Sequence, residues 1–201
     1  MISGKTRLIA HIGYPTESFK APLIYNPWFD QNGIDAVVVP MGVRADDFPG
    51  VLASLRKLTN LHGALVTMPH KVTVVDLLDE SSTTVKIAGS CNALLLRPDG
   101  TLVGDMFDGA GFARGLKRKG FAIAGASCLI VGTGGVGSAI AASLAAEGPA
   151  SISLFDTSVV AAEGLAARLA AYRAAYVGQV RLPPLPAAPL PRSRARVAVR
   201  R

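Results

Sequence analysis

From Ser127 the chain runs through the apolar segment SCLIV straight into GTGGVG at Gly132 to Gly137, then through an alanine-rich stretch, Ser138 to Glu147, to a second apolar run, Ser151 to Phe155, that ends on Asp156. A strand, a glycine-rich turn, a helix and a second strand in that order make a βαβ unit, because parallel strands need a crossover of this kind. The glycines answer separate steric demands. Gly132 permits the tight turn, Gly134 takes a Cβ out of the path of a pyrophosphate, and Gly137 lets helix and strand pack closely. The unpaired N–H groups of the following helix then favour negative charge. Asp156 stands nineteen positions beyond Gly137, where a carboxylate accepts hydrogen bonds from the ribose hydroxyls of a dinucleotide. Gly132, Thr133, Gly134, Gly135, Val136, Gly137 and Asp156 are therefore the candidate cofactor-binding residues. A carboxylate there repels a 2′-phosphate, and neither Thr157 nor Ser158 is an arginine that would offset the repulsion, so the cofactor expected is NAD rather than NADP.

Upstream, apolar runs and helical stretches alternate. Arg7 to Ile12 reads as a strand ended by Gly13 and Pro15, and Ala36 to Pro40 as a second strand parallel to it across a helix in 21–32. A helix is expected over Asp46 to Leu58, a third strand over Gly63 to Thr67 and a short helix over Val72 to Leu78. Ala93 to Leu96 and Thr101 to Val103, joined through Pro98, Asp99 and Gly100, suggest a hairpin at a sheet edge. A helix over Gly109 to Lys119 ends in a basic cluster suited to the negative end of its dipole. Another is expected over Val160 to Tyr172.

The formal net charge of +7 is located in one place: six arginines follow Val180, no Asp or Glu does, and without them the first 180 residues carry +1. A nearly neutral body argues against a nucleic-acid surface, which needs clustered cations to displace counterions from phosphates. The arginine tail lacks the interleaved aromatics that stack on bases. Cys91 and Cys128 sit apart in apolar stretches and read as reduced core residues. The three histidines have no metal partner at useful spacing, so no metal is expected. No leader pattern opens the chain and no apolar run reaches membrane-spanning length, which makes the cytoplasm the default expectation and a membrane partner unexpected.

Polar residues at strand ends supply the remaining candidates: Thr67 and Lys71 in LVTMPHK, Asn92 in GSCNAL and Asp108 in GDMFDGAGF. Each alone also fits a solvated lysine, a turn residue or a helix cap. Together with GYPTESFKAPLIYN and GTGGVGSA, and in that order, these segments resemble the shikimate dehydrogenase family, whose motifs run GxPxxxSxSPxxHN, NVTxPxK, GAxNTL, GDNTDGxGF and GAGGAxRA. The resemblance spans about residues 6 to 178. It implies an α/β fold in which an N-terminal substrate domain, 1–108, precedes an incomplete Rossmann dinucleotide-binding domain, 109–180. It also implies an NAD(P)-dependent oxidoreductase that interconverts a shikimate-like cyclic polyol and its ketone. Lys71 matches the family's catalytic lysine, Asp108 the aspartate that works with it, and Thr67 and Asn92 its ligands for substrate hydroxyls. Oxidising a ring C–H(OH) requires removal of the hydroxyl proton as hydride leaves, so an acid/base group must lie within hydrogen-bond reach of that oxygen. A lysine beside a carboxylate either shuttles that proton or polarises the oxygen.

The departures carry information too. The two serines that bind substrate carboxylate in the family correspond to Phe19 and Ala21, and the asparagine of NVTxPxK to Leu65. A site loses discrimination for a carboxylate when its donors go, which disfavours shikimate itself as the substrate, and Ser18 and Lys20 are candidate contacts for a different anionic group. Nothing after Val180 matches the family's later strands or its C-terminal helix. A truncated Rossmann sheet with an exposed edge is expected, followed by a disordered Pro/Arg-rich tail over 181–201. The competing expectation is a non-catalytic member that keeps the fold and binds a ligand or dinucleotide.

Overall fold

The structure is a computed structural model that describes residues 2–172 and, for the backbone, strands at 179–181 and 196–200. The chain divides into two compact units, one formed by residues 1–82 and 91–105, the other by 83–90 and 106–201.

In the first unit, β1 (Arg7–Gly13), β2 (Ala36–Gly42), β3 (Leu61–Val66), β4 (Glu80–Ser81), β5 (Ala93–Leu96) and β6 (Leu102–Asp105) form one sheet in the order β2-β1-β3-β5-β6-β4. β1 is parallel to both β2 and β3, whereas β5 runs antiparallel to β3 and β6. The first crossover is α1 (Ala21–Gln31) and the second is α2 (Phe48–Leu55). α1 is stitched to the sheet edge by Asn26, whose amide donates to the Val38 carbonyl at 3.1 Å and accepts from the Val38 N–H at 2.8 Å. An edge strand is an open row of donors and acceptors, and Asn26, the last residue of the GYPTESFKAPLIYN segment, pairs two of them. Ile12, Val38, Phe48, Leu52, Val66 and Val74 are at most 3% exposed and form much of this unit's core. The segment expected as a helix over 72–78 is instead a 3₁₀ turn, Thr73–Leu77. Its β-branched Thr73, Val74 and Val75 oppose a longer helix, and Leu78 is already extended.

The second unit is built on four strands, β7 (Ser127–Val131), β8 (Ser151–Phe155), β9 (Gln179–Arg181) and β10 (Arg196–Arg200), in the order β10-β7-β8-β9, with β7 and β8 parallel at the centre. α5 (Gly135–Ala146) makes the crossover between them, flanked by α3 (Thr83–Ala88), α4 (Asp108–Arg118) and α6 (Val159–Ala171). Ile130, Leu144, Leu154 and Leu165 are at most 1% exposed and anchor its core. α4 approaches α5 closely at Gly109, where a Cβ would strike the Ala139 backbone and the Ser143 hydroxyl. α3 ends on Gly89 in the left-handed region at φ +63°, and Arg168 Nε donates to the Ile87 carbonyl at 2.8 Å, pairing one of the acceptors a helix leaves open at its C-terminus.

One expectation about the chain's end is revised. β9 (Gln179–Arg181) pairs parallel with β8, and β10 (Arg196–Arg200) pairs antiparallel with β7, so the edges of this sheet are β9 and β10 rather than β7 and β8. The strand at 196–200 falls inside the segment expected to be disordered. The last proline is Pro191, and RVAVR beyond it alternates β-branched valines with other residues, which suits a strand. The rest of the expected tail, 182–195, lies outside the described residues. No helix among the described residues is long and apolar enough to cross a membrane.

Candidate active site

The first unit gathers three of the candidate substrate residues at the carboxyl ends of β1 and β3. Thr67 N–H donates to the Ile12 carbonyl at 2.9 Å, and Tyr14 N–H donates to the Met68 carbonyl at 3.0 Å, tying the loop after β3 to the loop after β1. Both Tyr14–Pro15 and Met68–Pro69 are cis peptides. Lys71 is held through its carbonyl, which accepts from Cys91 N–H at 2.8 Å. Asn92 is held at both ends, its carbonyl accepting from Val66 N–H at 2.9 Å and its N–H donating to the Asp105 carbonyl at 3.1 Å. These bonds bring the segments carrying Thr67, Lys71 and Asn92 to one place. All three residues are half-buried, whereas Ser18 and Lys20 are exposed on the segment leading into α1.

Sequence reasoning missed His70, which fixes this loop. It is 1% exposed, its Nε2 lies 2.8 Å from the Val43 carbonyl, and its ring stacks on Phe48 at 4.1 Å with an 8° interplanar angle. The stacking spans β2, α2 and the loop after β3, and no local pattern announces it. Around Thr67 the packing is tight. A Cβ at Gly13 would meet the Thr67 methyl, and it would lie 2.8 Å from the tip of the Phe19 ring. Phe19 in turn lies against His11, ring centroids 4.1 Å apart.

In the second unit the glycine loop has the form the sequence anticipates. Gly132 sits at φ +96°, a conformation an L side chain rarely adopts, and its N–H donates to the Phe155 carbonyl at 2.7 Å. Gly134 caps α5 in an extended conformation, is exposed, and has nothing within 4 Å of where a Cβ would project. Gly137 is buried against the core, while Gly135 and Val136 stay accessible. The loop is pinned from behind, Ser138 Oγ donating to the Thr133 carbonyl at 2.6 Å and Ser90 Oγ to the Gly135 carbonyl at 2.9 Å. An open backbone over Gly134 at the amino end of a twelve-residue helix fits the pyrophosphate of a dinucleotide.

Asp156 sits at the end of β8 as expected, but its carboxylate is engaged by its own chain. Oδ2 accepts from the Thr133 N–H at 2.6 Å and the Thr133 hydroxyl at 2.9 Å. Oδ1 accepts from the Ser158 N–H at 2.9 Å and the Thr157 hydroxyl at 3.4 Å. Burial raises its pKa, the Thr133 and Ser158 N–H groups and the two hydroxyls lower it, and the balance lies below the ordinary carboxylate value. A carboxylate has about four lone-pair sites, so Asp156 acts here as a fixed negative charge that orders the loop. Asp108 opens α4, one residue before the close approach of Gly109 to α5. Among the described residues no three His, Cys, Asp or Glu converge as a metal site.

Comparison with known proteins bears on both units. Residues 11–94 match the shikimate dehydrogenase substrate binding domain, and residues 117–183 match the ThiF family. The chain is 38% identical over 165 residues to shikimate dehydrogenase (NADP(+)) of Geobacter metallireducens, covering 82% of this chain and 57% of that relative. Shikimate 5-dehydrogenase from Listeria monocytogenes, solved in complex with shikimate and NAD, is 30% identical with a TM-score of 0.80, over 89% of this chain and 62% of that one. The ligand-free 5-ketofructose reductase of Gluconobacter sp. strain CHM43 is 26% identical with a TM-score of 0.76, over 90% of this chain and 64% of that one. The chain thus spans about three fifths of the length of these proteins.

Proposed function

We propose that the chain, whose residues 11–94 match the shikimate dehydrogenase substrate binding domain, is a member of the shikimate dehydrogenase family and a nicotinamide-dinucleotide-linked oxidoreductase acting on the secondary hydroxyl of a cyclic polyol. The observation that carries this reading is the hydrogen-bonded convergence of the segments bearing Thr67, Lys71 and Asn92 at the carboxyl ends of parallel strands, where ligands of open α/β sheets bind. Thr67 and Asn92 hold substrate hydroxyls, and Lys71 with Asp108 handles the proton of the reacting one. A bound dinucleotide supplies the hydride acceptor. Gly132 to Gly137 take its pyrophosphate on the amino end of α5.

NAD is the cofactor this reading prefers. Asp156 contributes a carboxylate beside the adenosine end of the site, and Thr157 and Ser158 offer no cation to a 2′-phosphate. The hydrogen bonds that Asp156 makes to Thr133 and Ser158 support discrimination by repulsion of the phosphate rather than by capture of ribose hydroxyls. The relative from Geobacter metallireducens is named for NADP(+) and speaks for NADP, whereas the Listeria structure holds NAD; the preference for NAD rests on Asp156. Calorimetric titration with NAD and NADP is the test. NAD binds more tightly to the wild type, and Asp156→Ala gains about tenfold in NADP affinity, the order expected for removing one like charge near a surface. Tighter NADP binding to the wild type, or no gain in the variant, contradicts the assignment.

A further inference from the structure

His11 lies in β1, between its parallel neighbours β2 and β3 and two residues before Gly13. It is 7% exposed, and its Nδ1 is fully buried with no hydrogen-bond partner. A buried polar nitrogen left unpaired forfeits its hydration without return, and such groups are rare enough to call for a partner. The surroundings of this one say what kind. The Phe19 ring covers the imidazole at 4.1 Å between centroids and 31° between planes. The same ring tip, with the Thr67 methyl, closes over Gly13. Burial first, and then the charge of Lys71, hold the imidazole below its ordinary pKa, so it is uncharged near neutrality. The cluster therefore presents a phenyl face, an uncharged imidazole and a threonine beside the lysine assigned to the reacting hydroxyl. A carboxylate placed on His11 Nδ1 would exchange its hydration for an uncharged nitrogen and a phenyl face, since the Lys71 ammonium beside it is assigned to the reacting hydroxyl. A hydroxyl can pair with a neutral imidazole nitrogen as donor or acceptor, and the C–H face of a polyol ring suits an aromatic surface.

We propose that His11 and Phe19 are the specificity-determining face of the substrate site and select an uncharged polyhydroxy ring, its carbon face against Phe19 and one hydroxyl on His11 Nδ1 as the phenyl ring moves off it. This deepens the reading given under Proposed function and rests on it. The test is nitrogen-15 NMR of the full chain labelled at its three histidines, titrated with methyl shikimate and with shikimate, which differ in charge at one group. The expected result is a shift of the His11 Nδ1 resonance on adding the ester, with the ester bound at least about tenfold more tightly than the acid. His11→Val weakens ester binding by about the same factor without changing NAD affinity, and His11→Asn, which keeps a hydrogen-bonding atom near Nδ1, recovers part of it. Shikimate binding as tightly as its ester, or an unmoved His11 resonance at saturating ester, overturns the proposal. Dinucleotide binding without the His11 shift refutes this inference alone. The shift without dinucleotide binding refutes the oxidoreductase reading alone.

Discussion

The Asp156 carboxylate accepts both the backbone N–H and the side-chain hydroxyl of Thr133, at 2.6 and 2.9 Å, and so ties the end of β8 to the glycine loop. The clamp stiffens the loop and fixes the position of a negative charge. Its pH dependence follows from the lowered pKa. The folded value lies below the ordinary 3.8, so the stabilisation is complete above the unfolded value of about 3.9 and is lost as pH falls through the folded one. In Asp156→Asn the melting temperature is lower at neutral pH, and the gap to the wild type closes as the solution is acidified. Thermal melts followed by circular dichroism across the acid range check this. A gap that widens on acidification contradicts the clamp.

Lys71→Ala is expected to lower turnover by about 10²–10⁴-fold, the usual contribution of a positioned acid/base group, with dinucleotide affinity unchanged. Asp108→Asn is expected to fall in the same range. Comparing kcat with the calorimetric affinity of each variant separates lost chemistry from lost binding.

Gly109→Ala tests the packing of α4 on α5. The obstacle to an added methyl is the Ala139 backbone as well as the Ser143 side chain, so the helix itself must move. Destabilisation of at least the ~1–3 kcal/mol seen for overpacked cores is expected. Gly111→Ala, two residues on with nothing within 4 Å of the new atom, is the control and stays close to the wild type. Urea unfolding of the pair measures the difference.

Cys91 and Cys128 are both buried free thiols, and burial pushes Cys91 up to about 11. Neither reacts with a thiol reagent in the native chain near neutral pH, and both react after unfolding. Rapid native labelling of either would mean that the core around it opens.

The βαβ unit at 127–156 was legible because each part is local: an apolar strand, glycines at fixed offsets and an acidic residue at the next strand's end. The parallel pairing of β1 with β2 followed from a crossover long enough for a helix. What sequence pattern could not reach depends on contacts far apart in the chain. α3 is six residues long, too short to show periodicity, and it is held by Arg168 from α6. His70 gains its role from Val43 and Phe48, and the strand at 196–200 gains its partner from β7. Asp156 was assigned to a ligand because its spacing fits one, whereas its four hydrogen bonds come from residues that spacing alone does not single out.

In the proposed function the chain passes hydride from a polyol to a nicotinamide dinucleotide with Lys71 at the reacting hydroxyl. Its most direct test is the reduction of NAD and NADP by the purified chain in the presence of shikimate, quinate and methyl shikimate, beside the Lys71→Ala variant. Polyol-dependent reduction of dinucleotide that is faster with NAD and is lost in the variant is expected. No reduction with any of the three polyols from a chain that melts cooperatively, or reduction that survives loss of Lys71, would contradict it.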